Sequence, residues 1–248
     1  MKIYTKLQEL SKERANYFCL LDPDDLSSEQ AKYIAQICQE KGADGILVGG
    51  SLMVKNNFES NLKIIKESVD IPVLIFPGIF NFVSPHADAL LLLSVVTSRN
   101  PQMLIGEQVR AAPLIKHYGI EAIGTAYMLI ESGRTTSVNF MSGSLPLPRD
   151  KNDIAVAHAL AGYYLGMKLI YMDAGSGAKE SIPEAMIKAV KDNVPLPMIL
   201  GGGINSPDEA SQKAAAGADF IVTGNVLEKN PDPKLIAEFA KAIHSVKR

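Results

Sequence analysis

The sequence predicts a (β/α)₈ barrel of the TIM type, formed by a single domain that spans residues 1–248. Short apolar runs rich in β-branched residues alternate with longer segments of helical periodicity, which is the pattern of βα units wrapped around a parallel sheet. Eight such runs occur, and they are largely apolar rather than alternating, as expected for barrel strands that are buried on both faces. The length of 248 residues fits one barrel, although length alone also permits two smaller domains.

The eight runs define the predicted strands, and most end in Gly, Asp or Ser. In chain order they are Tyr17–Leu21, Gly45–Val48, Val73–Phe76, Ala89–Val96, Ala122–Tyr127, Leu169–Met172, Met198–Leu200 and Phe220–Val222. Most helices between them begin with a recognisable signal, which is Ser27-Ser28-Glu29 before the first, Ser206-Pro207-Asp208-Glu209 before the seventh and Asn230-Pro231-Asp232-Pro233 before the last. The helix before strand six is predicted to run from near Asp150 to near Gly166.

Two connections depart from this pattern. The segment Gly78–Asp88 has only eleven residues, contains Pro85 and lacks a helical stripe, so an extended or mobile segment is expected to replace the third helix. Seven regular outer helices would remain. The connection Glu131–Arg149, rich in Ser, Gly, Thr and Pro, is too long to be a simple turn. It is expected to be functional because it follows strand five at the C-terminal face, where barrel active sites lie.

The composition argues against several other classes of protein. Basic and acidic residues number 25 and 27 and are well mixed, so no basic face for nucleic acid is expected. Cys19 and Cys38 suggest buried thiols rather than a disulfide framework or a metal cluster. The N-terminus lacks the apolar core of a signal peptide, and the longest apolar stretch, Ala87–Val96, is too short to span a bilayer. A cytoplasmic protein is therefore expected.

Glycine turns after the last three predicted strands are the strongest local signal. They are Ala174-Gly175-Ser176-Gly177, Gly201-Gly202-Gly203 and Thr223-Gly224-Asn225. Glycines let backbone N–H groups approach an anion closely, and barrels often bind phosphate after strands seven and eight. The alternative is that these glycines only permit tight strand-to-helix turns. No P-loop motif occurs, and the first turn lacks the final glycine of a dinucleotide fingerprint.

Carboxylate and hydroxyl groups follow strands one and two, on the other side of the predicted barrel mouth. Asp22 directly follows strand one, and Ser51 follows Gly49-Gly50 after strand two. Their oxygens suit Mg²⁺, which commonly bridges to substrate phosphates. The alternative makes Asp24 or Asp25 a turn residue and Ser51 a helix N-cap. Two anion-binding sites on opposite sides of the same barrel mouth would suit a pair of phosphate-bearing substrates.

Asp173 and Tyr171 lie at the tip of strand six, beside the glycine turns. The Asp173 carboxylate could accept a proton from a substrate hydroxyl or orient it, and the alternative is that it caps the following turn. Tyr171 alternates with Asp173 and is expected to face the same side, where its hydroxyl could reach a phosphate. Arg99, Arg134 and Arg149 are weaker candidates for contacting a diphosphate. The four histidines are scattered and are interpreted as surface or helix-packing residues.

Together these motifs resemble geranylgeranylglyceryl phosphate synthase and its relatives, which include the bacterial heptaprenylglyceryl phosphate synthases. The resemblance covers essentially the whole chain, and the form of the turn after strand six is similar to the second of the family's two groups. It rests on Leu21-Asp22-Pro23-Asp24, Val48-Gly49-Gly50-Ser51, Tyr171–Ala178, Gly201-Gly202-Gly203-Ile204 and Thr223-Gly224-Asn225.

The resemblance implies a prenyltransferase of ether-lipid and phospholipid biosynthesis. The enzyme would join a prenyl group from a prenyl diphosphate, such as geranylgeranyl diphosphate, to the 3-hydroxyl of sn-glycerol 1-phosphate and release diphosphate. Asp22 and Ser51 would hold the cofactor Mg²⁺, and Asp173 would prepare the hydroxyl. Substrate binding is implied for Tyr171, Met172, Asp173, Ala174, Gly175, Ser176, Gly177, Gly202, Gly203, Gly224 and Asn225. A homo-oligomer, either a dimer or a hexamer, with at most peripheral membrane contact for product release, is also implied.

The chain departs from the family pattern at two positions. Asp173 stands where the family usually has Glu, which shortens the reach to the hydroxyl by one methylene, and Leu20 stands where some members have a phosphate-binding lysine. Two rival interpretations are another phosphate-binding barrel enzyme, such as a sugar-phosphate isomerase, and an isoprenoid-binding barrel without catalysis. Asp22 with Ser51 weighs against the first rival, as does the lack of a second convincing proton-transfer residue to pair with Asp173.

Overall fold

A closed barrel of eight parallel strands forms the centre of the computed structural model, which describes residues 2–50, 54–55, 57–78, 82–224 and 231–248. Strands pair in chain order, and β1 pairs with β8 to close the barrel. The strands are β1 (Asn16–Leu21), β2 (Gly45–Val48), β3 (Val73–Ile75), β4 (Ala89–Val95), β5 (Glu121–Leu129), β6 (Leu169–Asp173), β7 (Met198–Gly201) and β8 (Phe220–Thr223). The predicted (β/α)₈ barrel is confirmed, and each predicted strand overlaps an observed one.

Helices surround this barrel. Within the described residues they are α1 (Ile3–Glu13), α2 (Ser28–Glu40), α3 (Phe58–Glu67), α4 (Glu107–Tyr118), α5 (Ser137–Ser142), α6 (Asn152–Tyr164), α7 (Glu184–Asn193), α8 (Pro207–Ala215) and α9 (Pro233–His244). A π-helical turn, Gln102–Gly106, leads directly into α4. The predicted helix starts are confirmed, because the side chains of Ser27, Ser206 and Asp232 accept hydrogen bonds from the first turns of α2, α8 and α9. Across the described ranges, no helix is long and apolar enough to cross a membrane.

The connection between β3 and β4 carries no helix in its described parts, 76–78 and 82–88. The third outer helix of a regular barrel is therefore replaced there, as the sequence predicts. Ser84 in this connection is buried, and its hydroxyl donates a hydrogen bond to Glu59 of α3 at 2.7 Å. The segment that follows residue 81 is thus attached to the neighbouring helix.

Apolar side chains form two cores on either side of the sheet. The outer core packs the strands against the helices, and the inner core fills the barrel with side chains such as Phe18 and Phe220, whose ring centroids are 5.2 Å apart. Helix α1 covers the N-terminal end of the barrel, since Leu7 belongs to the inner core and the N–H of Ile3 donates to Glu121 at 2.6 Å. The C-terminal end remains available for a site.

The long connection after β5 is partly helical, because it contains α5. Thr136 and Asn139 form a capping box at the start of α5, and Gly143 ends the helix with φ +59°. The connection is held at both ends, by a bridge between Ile130 and Leu147 and by a salt bridge of 2.9 Å between Arg149 and Glu180. The sequence predicts only a loop here, since the six residues of α5 are too few to show helical periodicity.

Candidate active site

A cavity of about 410 Å³ opens at the C-terminal end of the barrel. Residues at or just beyond the C-terminal ends of all eight strands line it. One part is apolar, with Leu93 and Val95 of β4, Met103 of the π-helical turn and Val138 of α5. The other part carries Asp22, Asp173 and the glycine turns. Active sites of this fold are built from the same strand ends.

Asp173, the last residue of β6, lies nearly buried at the base of this cavity, with 8% of its surface exposed. Its Oδ2 accepts a hydrogen bond from the Tyr127 hydroxyl, and its Oδ1 accepts one from the N–H of Gly175 at 2.7 Å. Burial raises the pKa of Asp173, and these two hydrogen bonds oppose the rise. The carboxylate is therefore fixed in orientation and more basic than an exposed one, which suits a proton acceptor.

Tyr127 of β5 is the site residue that the sequence analysis misses. It contacts Asp173 because β5 and β6 are adjacent and in register, with Tyr127 opposite Tyr171 and Leu129 opposite Asp173. Burial, followed by the charge of Asp173, raises the pKa of both tyrosines well above the ordinary value, so both remain neutral hydroxyls. The sequence does contain a signal for Tyr127. Side chains alternate along a strand, and Tyr127 lies at the C-terminal end of predicted strand five, next to strand six.

Tyr127 and Tyr171 also form an aromatic cluster with Phe76, which follows β3. The ring centroids of Phe76 and Tyr171 lie 5.1 Å apart, and those of the two tyrosines lie 5.4 Å apart. Tight packing of these rings limits their rotamers and so holds the Tyr127 hydroxyl at Asp173. The expectation that Tyr171 and Asp173 face the same side is confirmed, since both line the cavity.

The glycine turns after β6 and β7 pack directly against each other. A β-carbon on Gly202, whose φ is +84°, would lie 2.6 Å from the amide nitrogen of Gly175, so no side chain fits there. The amide N–H groups of Gly177 and Gly203 donate to no other group within the described part of the chain. Both glycines line the cavity, and backbone N–H groups that have no protein partner at such a site are suited to binding an anion such as phosphate.

The predicted substrate-binding residues divide into three sets in the structure. Those that line the cavity are Tyr171, Asp173, Ser176, Gly177, Gly202, Gly203 and Gly224. The side chains of Met172 and Ala174 instead pack in the outer core, so only their backbone could contact a ligand. The N–H of Gly175 is already bonded to Asp173, which makes this glycine a support for the carboxylate. Asn225 lies outside the described residues.

Asp22 lines the cavity at the ends of β1 and β2. Its Oδ1 accepts a hydrogen bond from the N–H of Asp24 at 3.0 Å, and its Oδ2 lies 2.0 Å from the position of a β-carbon on Gly50. Glycine at position 50 is therefore needed for the carboxylate to lie where it does. Among the described residues, no cluster of three or more His, Cys, Asp or Glu could hold a metal. A single carboxylate nevertheless fits Mg²⁺, which retains waters and binds substrate phosphates.

The neighbours of Asp22 have other roles. Ser51 lies outside the described residues. Asp24 is buried, and its Oδ2 accepts hydrogen bonds from the N–H groups of Val54 and of Lys55, the latter at 2.8 Å. This agrees with the alternative that Asp24 is a turn residue rather than a ligand, because it fastens the segment that follows β2.

The three arginine candidates lie in different surroundings. Arg99 hydrogen-bonds Ser98 and His158 and does not line the cavity, so it is not placed to meet a diphosphate there. Arg149 is held by Glu180. The guanidinium of Arg134 lies beside the glycine turns, with Nη2 3.3 Å from the position of a β-carbon on Gly177. His158 packs on α6 through its bond to Ile154, as the sequence analysis predicts.

Known proteins are similar to this chain in both sequence and fold. The model of the PcrB family matches residues 8–243. A geranylgeranylglyceryl phosphate synthase from Chitinophaga pinensis is 43% identical over 245 residues, which cover 98% of this chain and 96% of the relative. Another from Methanosphaera stadtmanae is 44% identical over 245 residues, which cover 98% of this chain and all of the relative.

Among solved structures, that of (S)-3-O-geranylgeranylglyceryl phosphate synthase from Thermoplasma acidophilum, in complex with its substrate sn-glycerol-1-phosphate, is similar with a TM-score of 0.95. It is 31% identical and covers 99% of this chain and 100% of its own. Because the family model and these relatives span nearly its whole length, the chain belongs to the PcrB family, among the geranylgeranylglyceryl phosphate synthases, which are prenyltransferases.

Proposed function

We propose that this protein transfers a prenyl group from a prenyl diphosphate, such as geranylgeranyl diphosphate, to the 3-hydroxyl of sn-glycerol 1-phosphate, with Mg²⁺ as cofactor and diphosphate as the second product. The observation that carries the proposal is the position of Asp173. Its carboxylate lines one cavity with Asp22 and with the glycine turns, in which the N–H groups of Gly177 and Gly203 have no partner among the described residues. In this proposal the proton acceptor therefore shares one cavity with the phosphate cradle and with a candidate metal ligand.

The glycine turns bind the acceptor in this proposal. The phosphate of glycerol 1-phosphate lies on the N–H groups of Gly177 and Gly203, with Ser176 and Gly224 nearby in the cavity wall. Glycerol is short, so anchoring its phosphate brings the 3-hydroxyl toward Asp173. Asp173 accepts the hydroxyl proton, and Tyr127 keeps the carboxylate in place through its hydrogen bond.

Asp22 and Ser51 hold Mg²⁺ in this proposal. When bound, the ion supplies positive charge that stabilises the departing diphosphate. The prenyl chain lies along the apolar part of the cavity, against Leu93, Met103 and Val138. The apolar side chains of the cavity suit the hydrocarbon, and Asp22 with the proposed Mg²⁺ suits the diphosphate.

A homo-oligomer, either a dimer or a hexamer, is part of the proposal. Large apolar side chains are exposed on the neighbouring helices α4 and α6 and on α5, among them Val109 (63% exposed), Tyr164 (79% exposed) and Phe140 (78% exposed). Such patches on a globular surface are typical of interfaces. Sedimentation of the purified protein tests this, and a monomer at all concentrations would contradict it. We also propose that the protein works in the cytoplasm, with at most peripheral membrane contact during product release.

Selective binding of the acceptor tests the proposed function. Isothermal titration calorimetry with sn-glycerol 1-phosphate and with its enantiomer, sn-glycerol 3-phosphate, compares two ligands of equal charge. We expect tighter binding of the sn-1 enantiomer, because the phosphate and the 3-hydroxyl must reach the glycine turns and Asp173 together. Equal affinities would contradict the assignment of the acceptor.

A further inference from the structure

The cavity has an imbalance of charge that the proposed function leaves unexplained. Three acids, Asp22, Glu107 and Asp173, line it, whereas no Lys, Arg or His does so among the described residues. A phosphate monoester carries a charge of about −1.5 to −2 near neutral pH, and neutral amides only partly replace its hydration. Leu20, which also lines the cavity, adds no charge. A cation placed just outside the cavity would supply the positive charge that its described lining lacks.

The start of the long connection after β5 lies against the phosphate cradle. The carbonyl of Ser132 accepts hydrogen bonds from the N–H groups of Lys179 and Glu180, at 3.2 and 3.1 Å. Four residues later, Oγ1 of Thr136 lies 2.3 Å from the position of a β-carbon on Gly175. Both ends of the short segment 132–136 therefore touch the turn after β6, and Arg134 lies between them.

The guanidinium of Arg134 is the cation that this geometry brings to the cradle. Its Nη2 lies 3.3 Å from the position of a β-carbon on Gly177, whose own N–H has no partner in the part of the chain that the structure describes. Within the described ranges, the guanidinium makes no hydrogen bond or salt bridge, and Arg134 is exposed. Two other basic groups in this region are already paired, Arg149 with Glu180 at 2.9 Å and Lys213 with Glu184 at 2.6 Å.

We propose that Arg134 binds and positions the phosphate of the acceptor, closing over the cradle from the connection after β5. A guanidinium offers paired N–H donors that match two phosphate oxygens and keeps its charge at all relevant pH values. It supplies the positive charge that the cavity wall lacks. The inference rests on the proposed function, since it assumes that the anion in the cradle is a phosphate ester.

Two substitutions at Arg134 and one control test this inference. Arg134→Gln removes the charge, Arg134→Lys keeps the charge without the paired donors, and Lys32→Gln removes an exposed charge on α2. Steady-state kinetics gives the KM for glycerol 1-phosphate, the KM for the prenyl diphosphate and kcat. Calorimetry with inorganic phosphate measures the Kd of the cradle for phosphate in the absence of turnover. Thermal unfolding checks that each variant folds.

We expect Arg134→Gln to raise the KM for glycerol 1-phosphate and the Kd for inorganic phosphate by about 10- to 100-fold, the loss typical of a charge-assisted pair. The KM for the prenyl diphosphate should stay unchanged, Arg134→Lys should be intermediate, and Lys32→Gln should match wild type. Equal phosphate affinity in wild type and Arg134→Gln would overturn the role of Arg134 and leave the proposed function standing. Phosphate binding that depends on Arg134 in a protein without prenyl transfer would overturn the proposed function instead.

Discussion

The hydroxyl of Tyr127 donates a hydrogen bond to the carboxylate of Asp173, a residue 46 positions later in the chain. Both residues are buried at the ends of adjacent strands, and Phe76 and Tyr171 pack around them. A hydrogen bond to the ionised form of an acid lowers its pKa, whereas burial raises it. Tyr127 thus adjusts the basicity of the proposed proton acceptor.

Tyr127→Phe tests this relationship through the pH dependence of the reaction. Asp173 accepts a proton only when ionised, so kcat/KM should rise as the pH increases through its pKa. Removal of the Tyr127 hydroxyl deletes one of the two groups that oppose the effect of burial, so the pKa should rise further. The ascending limb of the pH profile should therefore move to higher pH. Tyr171→Phe is a matched control, because the hydroxyl of Tyr171 contributes no hydrogen bond to the pKa of Asp173. An ascending limb at the same pH in wild type and Tyr127→Phe would show that Tyr127 does not adjust Asp173.

Asp173→Asn tests the proton-acceptor role itself. The amide keeps the shape of the carboxylate and an oxygen for the N–H of Gly175, but it cannot accept a proton. We expect kcat to fall by about 10²- to 10⁴-fold, the contribution typical of a general base, while the KM for glycerol 1-phosphate changes little. Single-turnover kinetics and calorimetry separate the two effects. Equal losses in turnover and acceptor binding would instead assign Asp173 to binding.

Gly202→Ala tests whether the cradle depends on its glycines. The added methyl group would press against the turn after β6, because the β-carbon position lies 2.8 Å from Oδ1 of Asp173. Gly119→Ala is the matched control, since Gly119 also has a positive φ, +66°, but its β-carbon position has no heavy atom within 4 Å. Both substitutions should lower the free energy of unfolding by about 1–2 kcal/mol or more, the cost of a left-handed alanine. Only Gly202→Ala should weaken binding of glycerol 1-phosphate, and retained affinity in that variant would remove Gly202 from the cradle.

Asp22→Asn tests the metal site. Asparagine can still cap the turn at Pro23–Asp25 through its side-chain oxygen, so the fold should be preserved. Loss of the negative charge should reduce the gain in affinity for a prenyl diphosphate that Mg²⁺ gives to the wild-type protein. Titrations with and without Mg²⁺, and with EDTA as the metal-free reference, measure this gain. An unchanged gain in Asp22→Asn would exclude Asp22 as a ligand.

The strands, the helix caps and the sides of the barrel mouth could be predicted from the sequence because they depend on local patterns. Continuous apolar runs mark buried strands, and Ser27 and Ser206 mark helix starts by their own side-chain chemistry. Alternation along β6 was also sufficient to place Tyr171 and Asp173 on one face. The same alternation places the side chain of Met172 on the opposite face, toward the helices. The resemblance to the family had implied only that Met172 binds substrate.

Helix α5 escaped prediction because it is too short to show helical periodicity, whereas other missed features depend on contacts distant in the chain. The bond between Tyr127 and Asp173 requires the register of β5 against β6, which no local pattern reveals. The side chain of Leu7 packs in the inner core of the barrel only because α1 covers the N-terminal end of the sheet. The sequence offers Arg134 only as a weaker candidate for contacting a diphosphate, and its place beside the glycine turns depends on the hydrogen bonds of Ser132 to Lys179 and Glu180.

Prenyl transfer to glycerol phosphate is the central claim, and one assay tests it most directly. Purified protein is incubated with radiolabelled sn-glycerol 1-phosphate, prenyl diphosphates of several lengths and Mg²⁺, and the mixture is extracted with organic solvent. We expect label in the organic phase with Mg²⁺ and the sn-1 enantiomer, and none with EDTA or with sn-glycerol 3-phosphate. Label that stays in the aqueous phase with every prenyl diphosphate would contradict the proposed activity.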